Sequence, residues 1–218
     1  MNMTDRTPPL VQRLLASLLL GGTLALPSNI EAAPTAPKAD VRGLLGRAQY
    51  SRAGAPMQPV TKGVAFEAGD VIQTASGAAI DIDFGGAAGI VRLTQMSTLV
   101  IEKWTAGDAG QELAVFLRDG EMLGRVSPSA GRSRFDLKVN SGIGSIMQGQ
   151  FRLDAKGYLV LVEGKGAFIH VPASGEPAPH SLSAPPAVYF SPTEGVRPAS
   201  ADLVKEISGQ WRSKLPKR

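Results

Sequence analysis

This sequence predicts an all-β chain: many short strands arranged as a sandwich, a roll or a short solenoid, with one C-terminal amphipathic helix. Three observations carry that expectation. From Val41 to about Val171 the apolar residues recur with a period of two, the spacing of half-buried strands. Gly at 25 and Pro at 16, with aromatics at only 6%, imply many tight turns between strands packed with Val, Ile, Leu and Ala. Only at the end does the period change: Leu203, Ile207, Trp211 and Leu215 recur every four residues, as one apolar helix stripe does.

Residues 1–33 read as a signal peptide. Arg6 and Arg13 precede the apolar run Leu14 to Leu26, Pro27 breaks it, and the small residues Ala32 and Ala33 follow. The run falls short of the ~20 residues that span a bilayer comfortably. Export to the periplasm with cleavage after Ala32 or Ala33 is expected, and no stable membrane span in the mature form; the other readings are an uncleaved anchor or a buried helix. Residues 34–40, PTAPKAD, read as an extended linker.

The body spans residues 41–171. In AIDIDF, Ile80, Ile82 and Phe84 take one face and Asp81 and Asp83 the other; in RFDLKV, Phe135, Leu137 and Val139 point inward while Arg134, Asp136 and Lys138 point out. ELAVFLR and EMLGRV flank Asp119-Gly120, which reads as a two-residue hairpin turn. YLVLVEG and AFIHV read as two short strands separated by a turn at Gly164-Lys165-Gly166. Residues 172–199 read as a Pro-rich loop with a short strand from Ala187 to Phe190, and residues 200–218 as the C-terminal helix and basic tail, N-capped by Ser200 with Asp202 at its positive end. Long helical crossovers are missing, which excludes a doubly wound α/β fold.

The order of these pieces resembles the FecR-domain family, named for the periplasmic part of an iron-dicitrate transport regulator. The pieces that carry the resemblance are EAGDVIQTASGAAIDIDF (Glu67 to Phe84), GIVRLTQMSTLVI (Gly89 to Ile101), ELAVFLRDGEMLGRV (Glu112 to Val126), RFDLKVNSGIGSIMQGQFRL (Arg134 to Leu153) and YLVLVEGKGAFIHV (Tyr158 to Val171). Two departures stand out. Gly149-Gln150 replaces the family's Gly-Thr, and the best-known members carry a cytoplasmic anti-sigma segment and a membrane span where this chain has only the signal-peptide pattern. The resemblance therefore implies a stand-alone exported member, and a direct sigma-factor complex is not expected.

Composition narrows the chemistry further. Hydrophobic residues at 43% suffice for a core. With no Cys, disulfides, thiolate metal sites and cysteine nucleophiles are excluded. The net charge of +4 is mild and its cations are scattered, apart from Arg212, Lys214, Lys217 and Arg218, so no nucleic-acid partner is expected.

Asp81 with Asp83, Glu102 with Asp108, and Asp119 with Glu121 are the carboxylate pairs; strand alternation and turn positions explain them as solvated. His170 and His180 make a weak zinc case without Cys, and Gly164-Lys165-Gly166 lacks the strand–loop–helix context of a phosphate site. No catalytic, cofactor-binding or metal-binding residue is assigned and no cofactor is expected. The expected role is a non-catalytic, protein-binding or scaffolding and signal-relay module whose partner is another envelope protein. Its rival, a carbohydrate or peptidoglycan binder, would stack sugars on Trp104, Tyr50 or Tyr158. The stripe Leu203, Ile207, Trp211 either docks on the chain's own sheet or meets that partner.

Overall fold

The computed structural model describes residues 36–85, 89–107, 110–127, 134–213 and 215–216. The signal-peptide reading, the first two linker residues, Asp108, Lys214, Lys217 and Arg218 lie outside the described residues. Alternation becomes strand where it was expected: Ile80, Ile82, Phe135 and Leu137 are buried, Arg134 and Lys138 are exposed, and Asp136 lies between.

Sixteen strands form one sheet among the described residues, curled into a half-barrel. Its axis is β12 (Gly142–Asp154). One edge of β12 carries two arms, with β11 (Arg134–Val139) along its first half and β10 (Glu121–Val126) along its second. From β11 the first arm runs through β9 (Gly110–Asp119), β8 (Thr98–Gly107), β5 (Val71–Thr74) and β2 (Ala48–Ser51) to β3 (Gln58–Pro59). From β10 the second arm runs through β7 (Ile90–Leu93), β6 (Ala79–Asp83) and β1 (Ala39–Leu45) to β4 (Ala65–Phe66). The opposite edge of β12 pairs with β13 (Leu159–His170). In turn, β13 carries β14 (Ala178–Ala184) and β15 (Val188–Ser191), and β15 pairs with β16 (Gly195–Pro198).

Curling brings the arms face to face. Phe84, next to β6, meets Trp104 of β8 edge-on at 5.3 Å, and Tyr50 of β2 meets Phe66 of β4 at 5.7 Å. The apolar side chains of both arms close into one cluster between them, which also includes Phe151, Phe168 and Phe190.

Several local expectations are corrected. Asp119-Gly120 is not a hairpin turn: β9 and β10 belong to different arms and do not pair, so this corner carries the chain from one arm to the other. Gly164-Lys165-Gly166 is not a turn either, because it lies inside the continuous β13, opposite Gly149 and Gln148. Gly149 and Gly164 pair in register with φ of +118° and +104°. A Cβ on Gly149 would sit 1.8 Å from the Glu163 carbonyl oxygen, and one on Gly164 2.0 Å from that of Gln148. Only glycine allows this approach, and register shifts flank the pair on both sides.

The 34–40 linker ends in strand, since β1 begins at Ala39. Residues 172–199 hold β14 to β16 and not mainly loop; Pro, Ser and Ala conceal a strand that gains its order by pairing with β13.

The helix α1 (Ala201–Arg212) starts as expected, with Ser200 in extended geometry accepting a bond from the Leu203 N–H at 3.3 Å. It ends one turn earlier than the apolar stripe implied. Leu215 leaves the helix and packs on Gly43, and the Leu44 N–H donates to the Pro216 carbonyl at 3.0 Å.

Candidate functional site

Neighbouring residues on one strand serve opposite faces. On β10, Met122 joins the inner core while Leu123 faces out; on β13, Leu159 and Leu161 face in while Val160 faces out. Leu123 and Val160 receive Ile207 of α1, with Leu203, Trp211, Val162 and Tyr189 around them. The C-terminal stripe therefore docks on its own sheet.

Polar groups fix that docking. Arg92 on β7 is 5% exposed. Its guanidinium meets Asp81, directly opposite on β6, through two bonds of 2.6 and 2.8 Å. Its remaining nitrogen donates to the Gln210 carbonyl and to Ser213 Oγ at the end of α1. Cations at that end complement the negative pole of the helix. Arg92 and Arg125 also lie over the Trp211 ring, at 5.5 and 5.2 Å from its centre. Towards the other end, Arg152 bridges Glu206 of α1 at 3.0 Å and Glu121 at 3.2 Å. Burial pushes the Glu121 carboxyl above its usual range, against the pull of Arg152, and the nearby Asp154 and Glu206 carboxylates add to the rise.

A second ion cluster joins the far ends of the arms. Asp70, fully buried, accepts from Arg52 at 2.9 and 3.1 Å and from the Glu67 N–H at 2.9 Å. Glu67 bonds Lys38 at 2.9 Å, and that ammonium holds its carboxyl below the usual range. Sequence reading missed Asp70 as a buried carboxylate. Its signal was an acid after Gly69 at a strand start, with a basic residue just past the end of an earlier strand.

Four of the acidic candidates form ion pairs. Asp81 is not solvated as expected but paired with Arg92 beneath α1; Asp83 pairs with Arg42 at 2.6 Å and caps the Gly85 N–H at 2.8 Å. Glu102 pairs with Lys138 and Glu121 with Arg152. His170 Nδ1 lies 2.9 Å from the Ser141 carbonyl, and the rings of His170 and His180 both pack on Phe190. Among the described residues no group of three His, Asp or Glu converges on a metal position, and no helix is long and apolar enough to cross a membrane. The sugar-stacking candidates are also engaged internally. Trp104 is 6% exposed in the core, Tyr50 packs on Phe66, and Tyr158 stacks on Tyr189 at 6.1 Å.

What the surface does offer is apolar. On the outer face beyond the Gly149–Gly164 pair, where α1 does not reach, Ile143 and Ile169 sit opposite each other on β12 and β13. They are 46% and 44% exposed, with Met147 at 65% and Val171 at 44% beside them. Next to α1 runs a groove of about 690 Å³, lined by Val162, Ala187, Ala199 and Val204, with Lys205 and Arg212 on its rim. This surface is the candidate site, and it can bind but holds no reactive pair. No known family, curated protein or solved structure matches the chain.

Proposed function

We propose that this chain is a non-catalytic, FecR-like module exported to the periplasm, which binds or scaffolds another protein of the cell envelope. One observation carries the reading. Asp81, Asp83, Glu102 and Glu121 form ion pairs and both histidines pack on Phe190, while the outer face presents Ile143, Met147 and Ile169 on adjacent strands, with Val171 just past the second, to solvent. Contiguous exposed apolar side chains are the usual mark of a docking surface. α1 shows within the same molecule how an amphipathic segment seats on this face. Export follows from the charged start, short apolar run and small residues of positions 1–33.

Photocrosslinking groups placed at Ile143 and Ile169 in living cells test the reading, with Gln73, exposed on β5, as control. A discrete crosslinked envelope protein at the first two positions and none at Gln73 is the expected result. Equal, diffuse crosslinking at all three, or a full-length chain retained in the cytosol, would overturn it.

A further inference from the structure

We propose that the outer edge of β14 is a self-association site, where a second copy of this chain adds its own β14 antiparallel across a two-fold axis. β14 pairs with β13 along one edge, and among the described residues no backbone group bonds to the other. The remaining terminal strands are protected. β3 and β4 have two residues each, and the four-residue β16 carries Arg197 and ends in Pro198. Short length, charge and proline are the devices by which sheets refuse edge pairing. β14 has seven residues and no charge; only Pro179 interrupts its donors.

The sequence of β14 suits a copy of itself. Ala-Pro-His-Ser-Leu-Ser-Ala centres on Ser181. Antiparallel pairing about that residue sets Ala178 opposite Ala184, His180 opposite Leu182, and Ser181 opposite the same serine of the second copy. A two-fold contact brings like residues together, so a charged edge would repel itself, and this one does not. Inward residues meet inward residues: Leu182 is 3% exposed, and the His180 ring packs 4.8 Å from that of Phe190. Ser181 and Ser183 stay on the exposed side. The inference does not depend on the envelope reading above.

Because the chain has no cysteine, Ser181→Cys gives it a single thiol. Directly opposed Cβ atoms lie ~4.5–5.5 Å apart in an antiparallel pair, within reach of a short bismaleimide. The purified chain is expected to be dimeric by light scattering. Ser181→Cys should crosslink to a covalent dimer, and Met96→Cys, placed at a residue 64% exposed elsewhere, should not. Ser181→Lys should yield a monomer with unchanged circular dichroism, and an unfolding midpoint that no longer rises with protein concentration as the wild type's does. A wild-type monomer at the highest soluble concentration, equal crosslinking at both thiols, or a dimeric Ser181→Lys would each overturn the proposal.

Discussion

On the inner face of the sheet, Phe66, Phe84, Phe151, Phe168 and Phe190 meet almost without solvent, whereas beneath α1 only Leu123, Val160 and Ile207 are fully buried and three arginines share the contact. Apolar burial is non-directional and scales with area. A guanidinium that grips a carboxylate, a helix end and an indole ring works only in one geometry. The inner face therefore sets whether the chain folds, and the outer face sets where its C-terminal segment lies.

Phe151→Ala should give the largest effect, a loss of about 3–5 kcal/mol seen as a lower urea midpoint for the whole sheet. Arg92→Met should cost less, about 1–3 kcal/mol from the polar groups it leaves without partners, and the loss of protection should be greatest in α1. Hydrogen exchange would then rise most over residues 201–212 while the strands keep more of their protection. If Arg92→Met instead lowered the global midpoint as far as Phe151→Ala, the two faces would form one cooperative unit and the contrast would fail.

The smallest expected effect is a pH dependence under α1. The folded carboxyl of Glu121 titrates above its ordinary value of 4.5, so the native state holds its proton more tightly than the unfolded chain. The stability it contributes is present below the unfolded value and is lost as pH rises through the folded one. Glu121→Gln, which stays neutral, should gain on the wild type between acidic and neutral pH in paired denaturation curves. A difference that stays constant with pH would show that burial does not govern this group.

The inner face was legible in the sequence because alternation reports burial directly, as at Ile80, Ile82 and Phe84. Pairing was not. Asp119-Gly120 has the chemistry of a hairpin turn, yet its flanking strands find partners in different arms, and nothing local encodes which distant strand wins. Gly164-Lys165-Gly166 looked like a turn because glycine serves turns and close backbone approaches equally well. β14 was hidden by Pro, His and Ser, whose own propensity argues for loop. At the candidate site, the docking stripe Leu203, Ile207 and Trp211 could be read from its spacing. Its lock could not, since Arg92 and Asp81 look like ordinary wet-face residues until α1 is laid over them.

The tie between Leu44 and Pro216 gives the molecule an order of assembly. It joins the first strand to the last described residue, so in an unfolded chain it would have to close a loop of nearly the whole described length. Loop closure costs more entropy as the intervening chain lengthens, and contacts of great sequence separation form slowly. Once the arms have curled, that separation no longer matters, because β1 already stands beside α1's landing place. Completion of the sheet thus turns an improbable long-range encounter into a local one. The C-terminal strap fastens after the barrel wall, as the last stitch of a seam begun at Ala39.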